Sequence, residues 1–458
     1  MSDSPFAHEQ KSAWDVYASA EHRSAMDETA ARYLDFLTRC KTERETIAYI
    51  LERVEGFSED FTTGSDAVMR VNRGKTAFFA RKGRRPLSEG YRLVGSHCDT
   101  PRIDLKQHPL YESLHIGLAK THYYGGIRKY QWLARPLALH GVIVKKDGTS
   151  VQVRVGEAPG DPVLTITDLL PHLAYKQVEM KLADAFEAEK LNLVLGHEPA
   201  LESDDVKADS RVKDALLRLL NERYGVAEND LFSAELYAVP AGPALPVGLD
   251  GSFVGSYGQD DRACVFCSLE AMLAEEQPEH TQIVLFWDKE EIGSEGATGA
   301  KSLFFEYCME ELVEAWAPES RLSRVLPLGM ALSADVHVAI DPDHEDVSEK
   351  LNSAFIGYGP SFSKFTGHRG KVGANDAHPE YIAFLRRILD DAGVPWQMAE
   401  MGKVDAGGGG TVAKFLAVYG MDVIDIGPAV LSMHSPFEIT SKADIYATIQ
   451  AFREFLKS

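Results

Sequence analysis

Apolar positions recur along this chain with two different periods, and the period changes from region to region. Up to about residue 61 the spacing is helical, with amphipathic stretches at 30–37 and 43–54. Strand-like runs follow at 76–80 and 91–95. Residues 105–240 differ in character. They carry β-rich runs at 138–145 and 150–155, a polar acidic stretch at 202–209, and one helix over 211–224 closed by Gly225. The segment Pro240-Ala241-Gly242-Pro243-Ala244-Leu245-Pro246 reads as a linker. Beyond it, helices and strands alternate. Helices are expected over 262–275, 301–315, 379–392, 411–419 and 442–456, and strands over 282–287 and 330–334. This alternation predicts an α/β fold, a mixed sheet covered by helices on both faces, with a β-rich region of different character before the linker.

Length and charge narrow the class. The 458 residues are enough for a large core and predict two domains. The net charge of -21 makes nucleic acid and anionic membranes poor partners. No apolar run is long enough to span a bilayer. Met1-Ser2-Asp3-Ser4-Pro5 lacks a basic region followed by an apolar core, so no signal peptide is expected. Five scattered cysteines predict reduced thiols in a cytoplasmic protein. Cys264-Val265-Phe266-Cys267 has redox-motif spacing but sits in an apolar helical pattern, which favours buried thiols.

The chemistry gathers at strand ends, where open α/β sheets bind ligands. The apolar run 283–287 ends in Asp288-Lys289-Glu290-Glu291-Ile292-Gly293-Ser294. Adjacent side chains diverge there, so one glutamate can bind a metal while the other handles a proton. Four more places fit: Gly95-Ser96-His97-Cys98-Asp99-Thr100-Pro101, Gln259-Asp260-Asp261-Arg262, Ser333-Ala334-Asp335 and Met433-His434-Ser435. Each has a plainer reading. His97 could be a satisfied core histidine, Asp260 a helix cap, Asp335 a turn residue and His434 a surface histidine. Together they form a hard, mixed N/O donor set suited to a pair of zinc, manganese or cobalt ions. Such pairs lie roughly 3.5–4 Å apart.

With these motifs in place, the chain resembles the aspartyl aminopeptidase and vacuolar aminopeptidase I family of dinuclear zinc exopeptidases, nearly end to end. The resemblance implies a zinc-exopeptidase fold. Its catalytic domain would comprise residues 1–104 and 245–458, interrupted by a dimerisation domain at 105–244. It implies dodecamers built from dimers, acting on peptides with a free N-terminus. It also implies that His97 and Asp335 complete one metal site, Glu291 and His434 the other, and that Asp260 bridges them. Glu290 would be the general base, with Asp99 behind His97 to fix its tautomer. Leu169-Leu170-Pro171-His172-Leu173 resembles the element that lends a histidine to a neighbouring subunit, so His172 would stabilise the oxyanion or simply be an interface histidine.

Many family members carry Asp-Asn where this chain has Asp260-Asp261, which adds a charge beside the metals. The lysine of acidic-substrate members falls at Lys364, within the basic run 364–371, which could equally be a solvated loop. The glycine run 407–410 lacks the Gly-Lys-Ser/Thr of a phosphate loop. Gly408 and Gly409 are expected where backbone approaches substrate closely. Two other functions compete: a dinuclear deacylase or carboxypeptidase, and a catalytically inactive assembly protein. Glu290 and Asp260 are both present, which speaks against the second.

Overall fold

A computed structural model describes residues 6–201, 210–274 and 277–458. The N-terminal pentapeptide, the acidic stretch 202–209 and the last residue of the expected helix 262–275 lie outside the described residues. The chain divides into two compact units. The first comprises Met1–Asp99, Ala244–Met433 and Glu438–Ser458; the second comprises Thr100–Pro243 and His434–Phe437.

The first unit is built on an eight-stranded mixed sheet. Its centre is the strand Tyr91–His97, flanked in parallel by Thr281–Trp287 and Gly329–Ala334, with Asp422–Gly427 parallel to the latter. Antiparallel strands Thr76–Arg81 and Ala67–Asn72 extend one edge, and Ser361–Ser363 with Gln397–Met398 the other. Helices cover both faces, which explains why the central strands read as unbroken apolar runs. Along Thr281–Trp287 the side chains alternate between two cores. Val284 and Phe286 join Tyr33, Phe36, Phe266 and Phe452. Ile283, Leu285 and Trp287 join Phe304, Phe305, Met309 and Leu312. Each such side chain stabilises the fold by about 1.5–3 kcal/mol on full burial.

Most expected elements are present with small shifts. The helices are Gln259–Ala274, Phe304–Trp316, Pro379–Ala392, Ala413–Ala417 and Lys442–Lys457. The helix expected over 411–419 is the main shortfall. The N-terminal region holds Ala20–Arg39 and Glu43–Arg53, capped by the side chains of Ser19 and Thr42. The expected linker 240–246 is narrower than its Pro and Gly content suggests. One strand runs to Pro240, and Leu245–Val247 edges a separate five-stranded sheet.

The second unit is a seven-stranded antiparallel sheet, with Leu110, Ile143, Val153 and Leu236 in its core. Its helix Arg211–Tyr224 ends as expected at Gly225, whose left-handed φ of 62° lets its N–H reach the Asn221 carbonyl at 2.7 Å. All five cysteines are free and buried. Among the described residues, no helix is long and apolar enough to cross a membrane.

Candidate metal centre

The register of three neighbouring parallel strands sets the centre. Trp287 lies opposite His97, and Ser333 opposite Gly95. His97, the turn after Trp287, and Asp335 therefore leave the sheet together at its carboxyl edge. Asp260 and Asp261 arrive from the start of the helix Gln259–Ala274, where their backbones are not yet helical.

His97 is 2% exposed and is oriented from both sides of its ring. Its Nδ1 lies 3.0 Å from the Asp99 carbonyl oxygen and 3.3 Å from Asp99 Oδ1. A proton on Nδ1 satisfies that side and leaves the Nε2 lone pair as a ligand. Nε2 lies 3.2 Å from Asp260 Oδ1 and 3.7 Å from Asp335 Oδ1. Two overlapping groups have donor atoms within 4.8 Å of one another: His97, Asp260 and Glu291, and His97, Asp261 and Asp335.

The turn bearing both glutamates is fixed from outside itself. Asp99 accepts the N–H of Glu290 at 3.1 Å on one carboxylate oxygen and that of Glu291 at 3.2 Å on the other. Lys289 and Ser294 hold left-handed φ values of 70° and 60°. Asp288 accepts from the Thr298 hydroxyl at 2.5 Å and ties the far side of the turn. Asp99 thus positions a candidate ligand histidine and the glutamate pair at once. Its sequence spacing from His97 showed only the first role. Asp261 has a second task as well, since its Oδ2 accepts the His97 backbone N–H at 3.2 Å.

Proton affinities follow from this crowding. Burial works against the charged form of His97, but bonds to Asp260, Asp335 and Asp99 outweigh it and hold its pKa well above the ordinary value. Burial lifts Glu290 to about 8; the His97 charge opposes this, and the charges of Asp335, Asp99 and Asp260 add to it. Burial, with Asp335 adding to it, also pushes Asp261 well above the usual carboxylate range. So many carboxylates in so little water require cationic compensation. The donor set, one imidazole among carboxylates, fits hard or borderline divalent cations.

His434, His172, Lys364, Gly408 and Gly409 are not members of these two groups. His434 belongs to the second unit, with Nδ1 3.0 Å from the Gly126 carbonyl oxygen. His172 is exposed on a short turn of that unit, Pro171–Leu173. Lys364 is exposed, just past the edge strand Ser361–Ser363. The basic run and the glycine run meet, because Gly367–His368 pairs with Gly408–Gly409. The chain's own packing already demands glycine at 408, where φ is 133° and a Cβ would come within 2.3 Å of the Gly367 oxygen. At Gly409 a Cβ would meet only the Met401 side chain, at ordinary distance.

The family model of the aminopeptidase I zinc metalloproteases (M18) matches residues 36–456. The chain belongs to the M18 family. A relative in Clostridium acetobutylicum, named "Probable M18 family aminopeptidase 1", is 46% identical over 462 residues, covering 98% of this chain and 98% of the relative. The crystal structure of aminopeptidase I from that organism superposes with a TM-score of 0.93 at 45% identity, over 99% of this chain and 100% of that one. The mApe1 dodecamer of S. cerevisiae, at 22% identity and a TM-score of 0.76 over 95% of this chain and 97% of that one, shares the fold. As an M18 member this chain is a zinc-type metalloaminopeptidase, an enzyme that hydrolyses peptide bonds, with the zinc-exopeptidase fold.

Proposed function

We propose that this M18 enzyme removes N-terminal residues from peptides at a pair of divalent cations, with Glu290 as general base. One observation carries the reading: His97 Nε2 converges with Asp260, Asp335 and Glu291 at a single sheet edge, beside Glu290. His97 and Asp335 would hold one ion, Glu291 and His434 the other, and Asp260 both. Zinc is the family's metal, and the donors would also suit cobalt or manganese. Bound there, such ions would supply the positive charge that lowers the pKa of a water and offsets charge on the scissile carbonyl oxygen. Glu290 takes the proton from that water and returns it to the leaving amine. Asp99 keeps His97 and the glutamate turn in place.

The insert at 105–244 acts in this reading as a dimerisation domain, and dimers assemble into dodecamers. Exposed apolar side chains at Leu169, Leu173, Tyr175 and Val178 support a covered surface there. His172 sits among them and would reach a neighbouring subunit's site to stabilise the oxyanion. Lys364, Gly408 and Gly409 would contact substrate, whose first side chain could be acidic, neutral or hydrophobic. The free, buried thiols support a cytoplasmic setting.

The test combines metal analysis with a panel of aminoacyl substrates, each paired with its N-acetylated control. Two ions per chain at full activity and cleavage of free amines alone are expected. Full activity with one ion per chain, or cleavage of the acetylated controls, would overturn the reading. Preference for acidic over neutral first residues would support Lys364 in substrate recognition.

A further inference from the structure

A second buried carboxylate resembles Asp99 in accepting from two consecutive backbone N–H groups. Glu438 is 0% exposed and opens the strand Glu438–Ser441, where it lies opposite Ser256 of the antiparallel strand Phe253–Ser256. Its Oε2 accepts the backbone N–H of Gln259 at 2.5 Å and that of Asp260 at 3.2 Å. Gln259 is fixed in turn. Its Nε2 donates to the carbonyl oxygens of Glu438 at 2.7 Å and Val254 at 2.9 Å, and its Oε1 accepts from the Tyr33 hydroxyl at 3.1 Å. Nothing in the local sequence dictates this contact, since the partners are 179 and 178 residues apart.

The physical logic concerns a helix start that is also a ligand-bearing turn. The first N–H groups of a helix lack partners within it and carry partial positive charge. A carboxylate there makes charge-assisted bonds, roughly twice as strong as neutral ones. Here the backbone of Asp260 is extended, with φ -82° and ψ 106°, so its N–H and its side chain point to different tasks. The N–H goes to Glu438, and the side chain reaches His97 Nε2 at 3.2 Å. Another carboxylate so close to Asp260 would repel it. The bonds to two consecutive N–H groups offset that repulsion, as Asp99 does at Glu290 and Glu291.

We propose that Glu438 is a positioning residue of the metal centre, which clamps consecutive backbone N–H groups of Gln259 and Asp260 and so aims the Asp260 carboxylate at the cation site. The proposal rests on the reading of Asp260 as a metal ligand. Without the clamp, two buried N–H groups must find other acceptors, and the turn rotates Asp260 away from His97. Glu438 would touch neither substrate nor metal.

The test uses the full-length protein, stripped of metal and titrated with zinc against a chromophoric chelator, with the cobalt absorption spectrum as a second readout. Glu438→Gln keeps the shape and removes the charge. Its zinc affinity should fall about 10–100-fold, the range for residues that orient metal ligands, and its cobalt spectrum should change. Tyr33→Phe loosens only the Gln259 side chain and should keep wild-type affinity and spectrum. Wild-type zinc affinity in Glu438→Gln, or an equal loss in Tyr33→Phe, would overturn the proposal. If Glu438→Gln does not fold, Glu438→Asp replaces it: one methylene shorter, it should also lose affinity, and wild-type affinity there would overturn the proposal. Asp260→Asn separates the two ideas. Undiminished zinc binding in that variant would remove Asp260 from the ligand set and overturn the reading on which the clamp rests, whereas weakened binding there with wild-type binding in Glu438→Gln would overturn the clamp alone.

Discussion

In the first unit, His97, Asp99, Asp260 and Asp261 are at most 4% exposed, whereas in the second Leu173, Tyr175 and Val178 stand 69%, 75% and 81% exposed. Each arrangement is unfavourable for an isolated chain, and for opposite reasons. Buried charge requires a compensating charge, and exposed apolar surface requires a cover. The buried cluster is compensated in part from within, by the Asp99 and Glu438 bonds to backbone N–H groups. What remains is a concentration of negative charge that divalent cations would neutralise. The apolar strip of the second unit has no such internal answer, which is why a second copy of the chain is the reading adopted above. The buried carboxylates thus gather in the first unit, and the exposed apolar strip lies in the second.

The strongest way to break this contrast is at Glu290. Glu290→Gln should lower kcat about 10²–10⁴-fold, as expected for loss of a general acid–base group, while zinc content stays at the wild-type level. Steady-state kinetics with metal analysis on the same sample would check both. A fully active Glu290→Gln would move the base elsewhere in the cluster.

A smaller effect concerns a buried carboxyl group on the strand Asp422–Gly427 of the same sheet. Burial lifts Asp425 to about 7 from an ordinary 3.8, with bonds to Thr411 and Ser333 opposing and the Asp335 charge adding to it. The native state therefore holds this proton over a window in which the unfolded chain has released it. Stability is greatest below about pH 4 for this group and declines as pH rises towards 7, by at most about 1.4 kcal/mol per pH unit. Urea unfolding of metal-stripped protein between pH 5 and 8 should show that decline, and Asp425→Asn should flatten it. An unchanged slope in the variant would assign the pH dependence to another group.

The smallest effect on the subunit itself is expected at the apolar strip. Leu173→Asp should change the stability of a single subunit by no more than about 0.5 kcal/mol, as for most surface substitutions. Particle mass by light scattering should nonetheless fall. A wild-type mass would mean that this strip is not where copies meet.

Much of this molecule was legible in its sequence. The helices Arg211–Tyr224 and Pro379–Ala392 match their expected limits residue for residue, because each is closed by a left-handed glycine, Gly225 or Gly393. The central strands were legible as apolar runs, and the five strand-end motifs as candidate chemistry. The glycine run was less so: at Gly408 the close approach comes from the chain's own hairpin with Gly367. The helix expected over 411–419 is confined to Ala413–Ala417, although the Gly420 expected after it does hold a left-handed φ of 81°.

Secondary structure and the inventory of reactive groups were settled locally, since helix hydrogen bonds and side-chain periodicity operate within about four residues. Which groups meet was settled by sheet register. Asp99 reaches the amides of Glu290 and Glu291 across 191 and 192 residues, and Glu438 reaches Gln259 across 179. A carboxylate accepts from whichever N–H the fold brings near, so no spacing rule along the chain encodes these bonds. The parallel alignment of Tyr91–His97 with Thr281–Trp287 brings Asp99 to Glu290 and Glu291, and the antiparallel pairing of Phe253–Ser256 with Glu438–Ser441 brings Glu438 to Gln259.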